Sequence, residues 1–199
     1  MKSFILALFL LSSLLVASDN YSLRVAYGEA SKNDLGEILL GKLGPHPKDL
    51  SVIAVDGGYL YIKNAFDFPI DVYFKGGLSY FNEDTHDNVL EGVAYIKLFY
   101  NINVLSNDFR FGFGEGVSYA SSVLETEYDE SIEKDRGTSN FLNYLDISFD
   151  FDVGKLVHSK PLEQLYLGIL LKHRSGVFGL YNNVSGGSNY NSVYIEKKF

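Results

Sequence analysis

From Tyr21 onward, apolar side chains alternate with polar or small ones in one segment after another. Tyr21, Leu23, Val25 and Tyr27 oppose Ser22, Arg24, Ala26 and Gly28; Ile70, Val72, Phe74, Leu78 and Tyr80 oppose Asp71, Tyr73, Lys75, Gly77 and Ser79. Leu90, Ala94, Ile96 and Leu98 oppose Glu91, Tyr95 and Lys97, and Phe109, Phe111, Phe113 and Val117 oppose Arg110, Gly112, Gly114 and Ser118. The clearest case sets Phe141, Leu145, Ile147, Phe149, Phe151 and Val153 against Tyr144, Asp146, Ser148, Asp150 and Asp152. Further segments follow at 165–175 and at Val193, Ile195 and Phe199, and a weaker one lies around 52–66. A period of two marks strands whose faces meet different surroundings, so the pattern predicts eight strands.

The predicted connections alternate in length. A long first loop is followed by a turn at Asp67-Phe68-Pro69, then by Asn82–Asn88, Asn101–Asn107, Ala120–Thr138, Gly154–Glu163 and Gly176–Ser188, the odd connections tending to be longer. Even strand number, apolar outer faces and this asymmetry predict an all-β fold, an eight-stranded antiparallel transmembrane β-barrel of outer-membrane type. An interior of eight strands is just wide enough for side chains to fill it, so Arg24, Lys75, Glu91, Lys97, Arg110, Asp146, Asp150 and Asp152 are expected to pair inside, leaving no conducting pore. Apolar-out alternation argues against a soluble lipocalin-like barrel. The terminal Phe199 resembles the carboxy-terminal signal of such barrels, with Lys197 placed to snorkel at the periplasmic edge.

Composition sharpens this picture. Lys2 followed by the apolar run Phe4–Leu15 and the small residues Ala17 and Ser18 reads as a secretory signal over 1–18, with one barrel domain over 19–199. Beyond it no stretch reaches the roughly 18 apolar residues of a membrane helix, yet the chain holds 15 Tyr and 15 Phe. It has no cysteine for crosslinks, and a net charge of −8 without a basic stripe argues against nucleic acid.

Chemistry enters on the seventh segment, where Leu165, Leu167, Ile169, Leu171, His173 and Ser175 share one face. With the N-terminus in the periplasm, this strand runs outward and its ten steps rise roughly 25 Å, the height of the apolar band. His173 and Ser175 therefore fall at outer-leaflet depth, where polar side chains are costly without a use. A serine hydrolase needs a hydroxyl nucleophile, an imidazole to take its proton and a third group to orient the ring; His-x-Ser supplies the first two. Glu115, Asn143 and Asn189 face outward near the same end, Asn189 beside the pair, Asn143 on its other side and Glu115 one strand farther.

The stretch Lys172-His173-Arg174-Ser175-Gly176-Val177-Phe178-Gly179-Leu180-Tyr181-Asn182-Asn183, with Gly186-Gly187-Ser188-Asn189-Tyr190 after it, resembles the carboxy-terminal region of the PagL-type lipid A 3-O-deacylases and the wider acyloxyacyl-hydrolase-like barrels. The resemblance implies an outer-membrane esterase with His173 as general base and Ser175 as nucleophile, acting on lipopolysaccharide of the outer leaflet and requiring no metal or cofactor. The family's orienting Glu on the last strand has no counterpart here. Asn189 is the first candidate for that role and Glu115 the second. Gly176 stands where the family has Asn, so the oxyanion donors are sought in the N–H groups of Gly176 and Gly179 or the side chains of Asn182 and Asn183. His46, His86 and His158 read as loop residues, the acidic run Glu125–Glu130 as solvated surface or a cation-binding patch, and Lys172 and Arg174 as inward partners of interior acids. The rival class is a non-enzymatic barrel, structural or adhesive; phospholipid or palmitoyl-transfer chemistry would use the same nucleophile with another acceptor.

Overall fold

The computed structural model describes residues 20–177, 179–184 and 186–199; the predicted signal segment lies outside them. Eight antiparallel strands close on themselves in sequence order: β1 (Tyr21–Ala30), β2 (Ser51–Ile62), β3 (Ile70–Asn82), β4 (Val89–Val104), β5 (Asn107–Ala120), β6 (Phe141–Asp152), β7 (Leu165–Ser175) and β8 (Gly187–Lys198). Closure of β1 on β8 removes both sheet edges, so every strand has two ladder partners, as a lipid environment demands. Short helices lie in the connections: α1 (Leu35–Leu39), α2 (Glu125–Glu133) and α3 (Val153–Leu156).

Alternation decides which face is which. Leu23, Val25, Phe74, Leu78, Ile96, Phe113 and Ile195 are exposed on the outside, while the polar members of the same strands are buried within. Tyr21, Tyr59, Tyr61 and Tyr100 ring the rim where β1 begins and β8 ends, and Tyr80, Tyr119 and Phe141 ring the other, as aromatic belts do at the two membrane interfaces. The first rim carries the shorter turns and is periplasmic by this pattern.

The interior is packed with paired charges. Arg24 bonds Asp56 (2.7 Å) and Asp146 (2.5 Å) and donates to the Tyr95 hydroxyl (2.7 Å). Asp146 also pairs with Lys97, which donates to Ser148 (2.8 Å). Lys75 reaches Glu196 (2.5 Å) and Asp56 (3.0 Å), and Arg110 grips Asp150 through two bonds (2.8 and 2.7 Å). Mutual pairing is what makes such burial tolerable, and it fills the lumen with side chains. Asp152 departs from the expected pairing: its carboxylate accepts the N–H groups of Lys155 and Gln164 and so caps the β6–β7 turn.

Three boundaries differ from the sequence reading. The β4–β5 connection contracts to Leu105-Ser106, both with left-handed backbone (φ 51° and 65°), a two-residue hairpin whose residues lack the usual Asn-Gly signal. In β2 the register shifts between Leu60 and Ile62, and its inward positions Val52 and Ala54 are apolar, so both faces of the strand look alike in the sequence. Val153 starts α3 rather than ending β6. At the carboxy end, Lys197 donates to the Glu163 carbonyl (2.6 Å) at the periplasmic rim, and Phe199 pairs by backbone with Tyr21.

Candidate active site

His173 and Ser175 occupy the outer end of β7, two residues apart on its outward face, so their side-chain roots stand about 7 Å apart. Register places Asn189 of β8 directly opposite His173, and Asn143 of β6 directly opposite Ser175. The Asn189 Oδ1 lies 2.8 Å from His173 Nδ1. Its Nδ2 donates to the Asn33 carbonyl (3.1 Å), which fixes the amide orientation and leaves Oδ1 as the acceptor. Nδ1 therefore carries the proton, and Nε2 keeps the lone pair that a general base needs.

An outward-facing pair in a barrel wall should be open to lipid, yet His173 and Asn189 are each only 8% exposed. The first external loop, 31–50, folds down over them. Ser31 N–H donates to the Asn189 carbonyl (2.8 Å), Ser31 bridges to Pro45, and His46 N–H donates to the Ala30 carbonyl (3.0 Å). Ser175 remains half-buried, and its Oγ accepts the Val177 N–H at 3.1 Å. Val177 sits at φ 46°, an unusual backbone for a β-branched residue, and opens the fourth external loop. Among the described residues Ser175 Oγ makes no direct bond to His173.

Two sets of expected residues are placed otherwise. Glu115 pairs with Leu145, and Leu145 pairs with His173, so an apolar side chain separates the acid from the imidazole and Glu115 does not orient it. The Gly176 N–H donates to the Gly186 carbonyl (3.1 Å), and the Gly179 N–H to the Val184 carbonyl (2.9 Å). Asn182 donates to the Thr138 carbonyl (2.7 Å), and Asn183 is exposed in the same left-handed turn (φ 58°). Two of the four expected oxyanion donors thus bond within the fourth loop itself, and Asn182 ties that loop to the third. Gly176 is required for that loop, since a Cβ there would fall 2.0 Å from the Val184 carbonyl oxygen. Asn143 of β6 is the amide residue that the ladder pairs with Ser175.

The acidic run of the third loop is not solvated surface. It forms α2 and lies over the barrel mouth with Glu125 and Glu127 turned inward and buried. Glu125 pairs with Lys48 (2.8 Å) and accepts the Asp84 and Thr85 N–H groups. Glu127 accepts both from Arg174 Nη1 (2.9 and 3.1 Å) and from Ser188 Oγ (2.8 Å). Arg174 lies between His173 and Ser175, and Ser188 adjoins Asn189, so one carboxylate braces β7 and β8 from inside at the level of the outward site. Asp129 and Glu130 are paired with Lys48 and Lys134, which leaves the helix no free acidic cluster for a cation.

Burial raises the Glu127 carboxyl above its ordinary range although Arg174 opposes this, with Glu91 adding to the rise. A folded-state pKa above the unfolded one means a contribution to stability that is complete below the unfolded value and lost as pH rises through the folded one. Charged Glu127 is therefore a cost to the fold near neutral pH. We expect Glu127→Gln to leave the melting temperature at pH 7 unchanged or higher, measured by heat-modifiable gel mobility.

The fold and its paired interior define an eight-stranded outer-membrane β-barrel. Among solved structures, the outer membrane enzyme PagL superposes with a TM-score of 0.62 at 12% identity, over 89% of this chain and 99% of that one. Neisserial surface protein A (NspA) superposes with a TM-score of 0.53 at 13% identity, over 92% of this chain and 98% of that one. At these identities the likeness establishes the fold. No sequence-family description and no curated protein matches the chain.

Proposed function

We propose that this barrel is a serine esterase of the outer membrane that hydrolyses an acyl ester of an outer-leaflet lipid, the 3-O-linked chain of lipid A. The observation that carries this reading is the His173 Nδ1–Asn189 Oδ1 bond, made on the same lipid-facing row as Ser175. With the proton on Nδ1, Nε2 is the nitrogen that would take the hydroxyl proton.

In this mechanism Ser175 rotates to His173, gives its proton to Nε2 and attacks the ester carbonyl. The Asn143 amide, across from Ser175, donates to the oxyanion. His173 then returns the proton to the leaving sugar oxygen, an acyl-serine remains, and water activated by the same ring releases the fatty acid. Asn189 orients the imidazole without a negative charge, so it stabilises the imidazolium less than a carboxylate would.

Asn189→Leu is expected to lower kcat/KM about 100-fold by releasing the ring from its tautomer and orientation. Fatty-acid release from lipid A in detergent micelles, followed by mass spectrometry, checks this; activity equal to wild type would remove Asn189 from the mechanism. A non-enzymatic barrel is favoured by one observation, the Ser175 Oγ bond to Val177 N–H in place of His173. Acyl transfer to a second lipid differs by its product, an acylated acceptor instead of free fatty acid.

A further inference from the structure

A carboxylate presents an acceptor to a histidine whichever oxygen it offers, but an amide has two unlike ends, Oδ1 that accepts and Nδ2 that donates. Asn189 can therefore meet His173 Nδ1 in two ways. What holds it with Oδ1 on the ring lies outside the barrel wall: among the described residues, the acceptor for Nδ2 is the main-chain carbonyl of Asn33, in the first external loop. That carbonyl is placed by its own side chain. Asn33 Oδ1 accepts the Gly44 N–H (2.7 Å) and Asn33 Nδ2 donates to Glu37 (2.9 Å), so one residue ties the start of the loop to its end and to α1. Ser31 completes the tie, its N–H donating to the Asn189 carbonyl (2.8 Å) and its hydroxyl to the Gly44 carbonyl (3.0 Å).

We propose that the first external loop selects the tautomer of His173, with Asn33 as the positioning residue. While the loop is closed, turning the Asn189 amide over would set Oδ1 against the Asn33 carbonyl oxygen, two acceptors face to face in a buried place where water cannot replace the lost bond. The amide stays as it is and Nδ1 keeps the proton. When the loop lifts, that restraint goes and the amide is free to present Nδ2 to the ring. Nδ1 then gives its proton to the water that the lifted loop admits, and Nε2 takes one, with no change in charge. An imidazole protonated on Nε2 cannot accept a proton there from Ser175, so opening the loop switches the base off. This consequence for catalysis rests on the esterase reading, whereas the tautomer itself does not. A neutral orienting group thus gives the site an inactive state that an orienting carboxylate would not allow.

Gly44→Val tests this, because a Cβ at that position would fall 2.5 Å from Asn33 Oδ1 and must displace it. Gly36→Ala in α1, where an added Cβ meets nothing within 4 Å, is the control from the same loop. Imidazole nitrogen chemical shifts of the folded barrel in detergent report which ring nitrogen carries the proton, the His173 signals being those that His173→Gln removes. Wild type and Gly36→Ala are expected to carry it on Nδ1, and Gly44→Val and Asn33→Ala to show a population with it on Nε2. On p-nitrophenyl butyrate the latter two should lose about tenfold or more in kcat with KM unchanged, since the wrong tautomer of a catalytic histidine removes the base without touching substrate binding. Asn189→Asp, with an acceptor at either end, should make the tautomer insensitive to Gly44→Val. A proton on Nε2 in the wild type, a proton on Nδ1 in both loop variants, or an Asn189→Asp barrel as sensitive to Gly44→Val as the wild type overturns the proposal. Should Ser175→Ala retain hydrolysis, the esterase reading falls while the tautomer still decides the role of the loop.

Discussion

Ser175→Ala is expected to lower ester hydrolysis by about three orders of magnitude or more. His173→Ala should do the same, and the double variant should be little worse than either, because residues that act as one unit do not add in free energy. Fold damage is a poor explanation for such a loss. Ser175 lies at the last position of β7, is half-buried, and its Oγ bond is to the loop that follows, so removing one oxygen leaves the ladder to Asn143 and Gly187 intact. Fatty-acid release by the purified barrel, with heat-modifiable gel mobility as the folding control, measures both. Additive losses in the double variant would mean that His173 and Ser175 do not share a step.

The second large effect is structural. Asp146 receives Arg24 (2.5 Å) and also Lys97, and all three side chains have no appreciable exposure. Asp146→Ala leaves Lys97 without a carboxylate and Arg24 with Asp56 alone in a water-poor interior, and breaking such a pair from one side costs about 3–5 kcal/mol. The urea midpoint of the barrel in detergent should fall accordingly. Asp146→Leu combined with Arg24→Met and Lys97→Met should recover much of the loss, since apolar replacement of these three side chains removes their burial penalty together with the attraction, and Asp56 keeps Lys75 (3.0 Å). A triple variant as unstable as the single one would show that the cluster stabilises by more than charge pairing.

The barrel was legible because each strand carries its own record of which face meets lipid, and period two survives without knowledge of partners. Where it failed, a local irregularity intervened. In β2 the inward residues Val52 and Ala54 are apolar and blurred the alternation, and the Leu105-Ser106 hairpin lacks Asn-Gly chemistry. At the site, the facing of His173 with Asn189 follows from simple antiparallel register and could be read from the strands alone. Glu115 seemed a candidate because it shares the row, but a row carries no statement of what stands between its members; here it is Leu145.

The loops were least legible. Glu125 and Glu127 look like surface acids until the barrel mouth below them is seen to present Arg174, Lys48 and Ser188. Loop donors such as the Gly176 and Gly179 N–H groups are spent on their own turn, which no pattern of residue types reveals. Nor did the first loop announce that it folds down the wall. The apolar Ile38, Leu39, Leu40 and Leu43, unusual for a loop reaching into water, were the available signal.

The central claim is that His173 and Ser175 act on lipid A in the membrane that holds this barrel. Mass spectrometry of lipid A from Gram-negative cells expressing the wild-type chain or Ser175→Ala tests it most directly, in a host with no deacylase of its own. The wild-type chain should produce a lipid A species lighter by one ester-linked acyl chain, and the variant only the fully acylated form. Identical spectra from the two, with both barrels folded in the outer membrane, would contradict it.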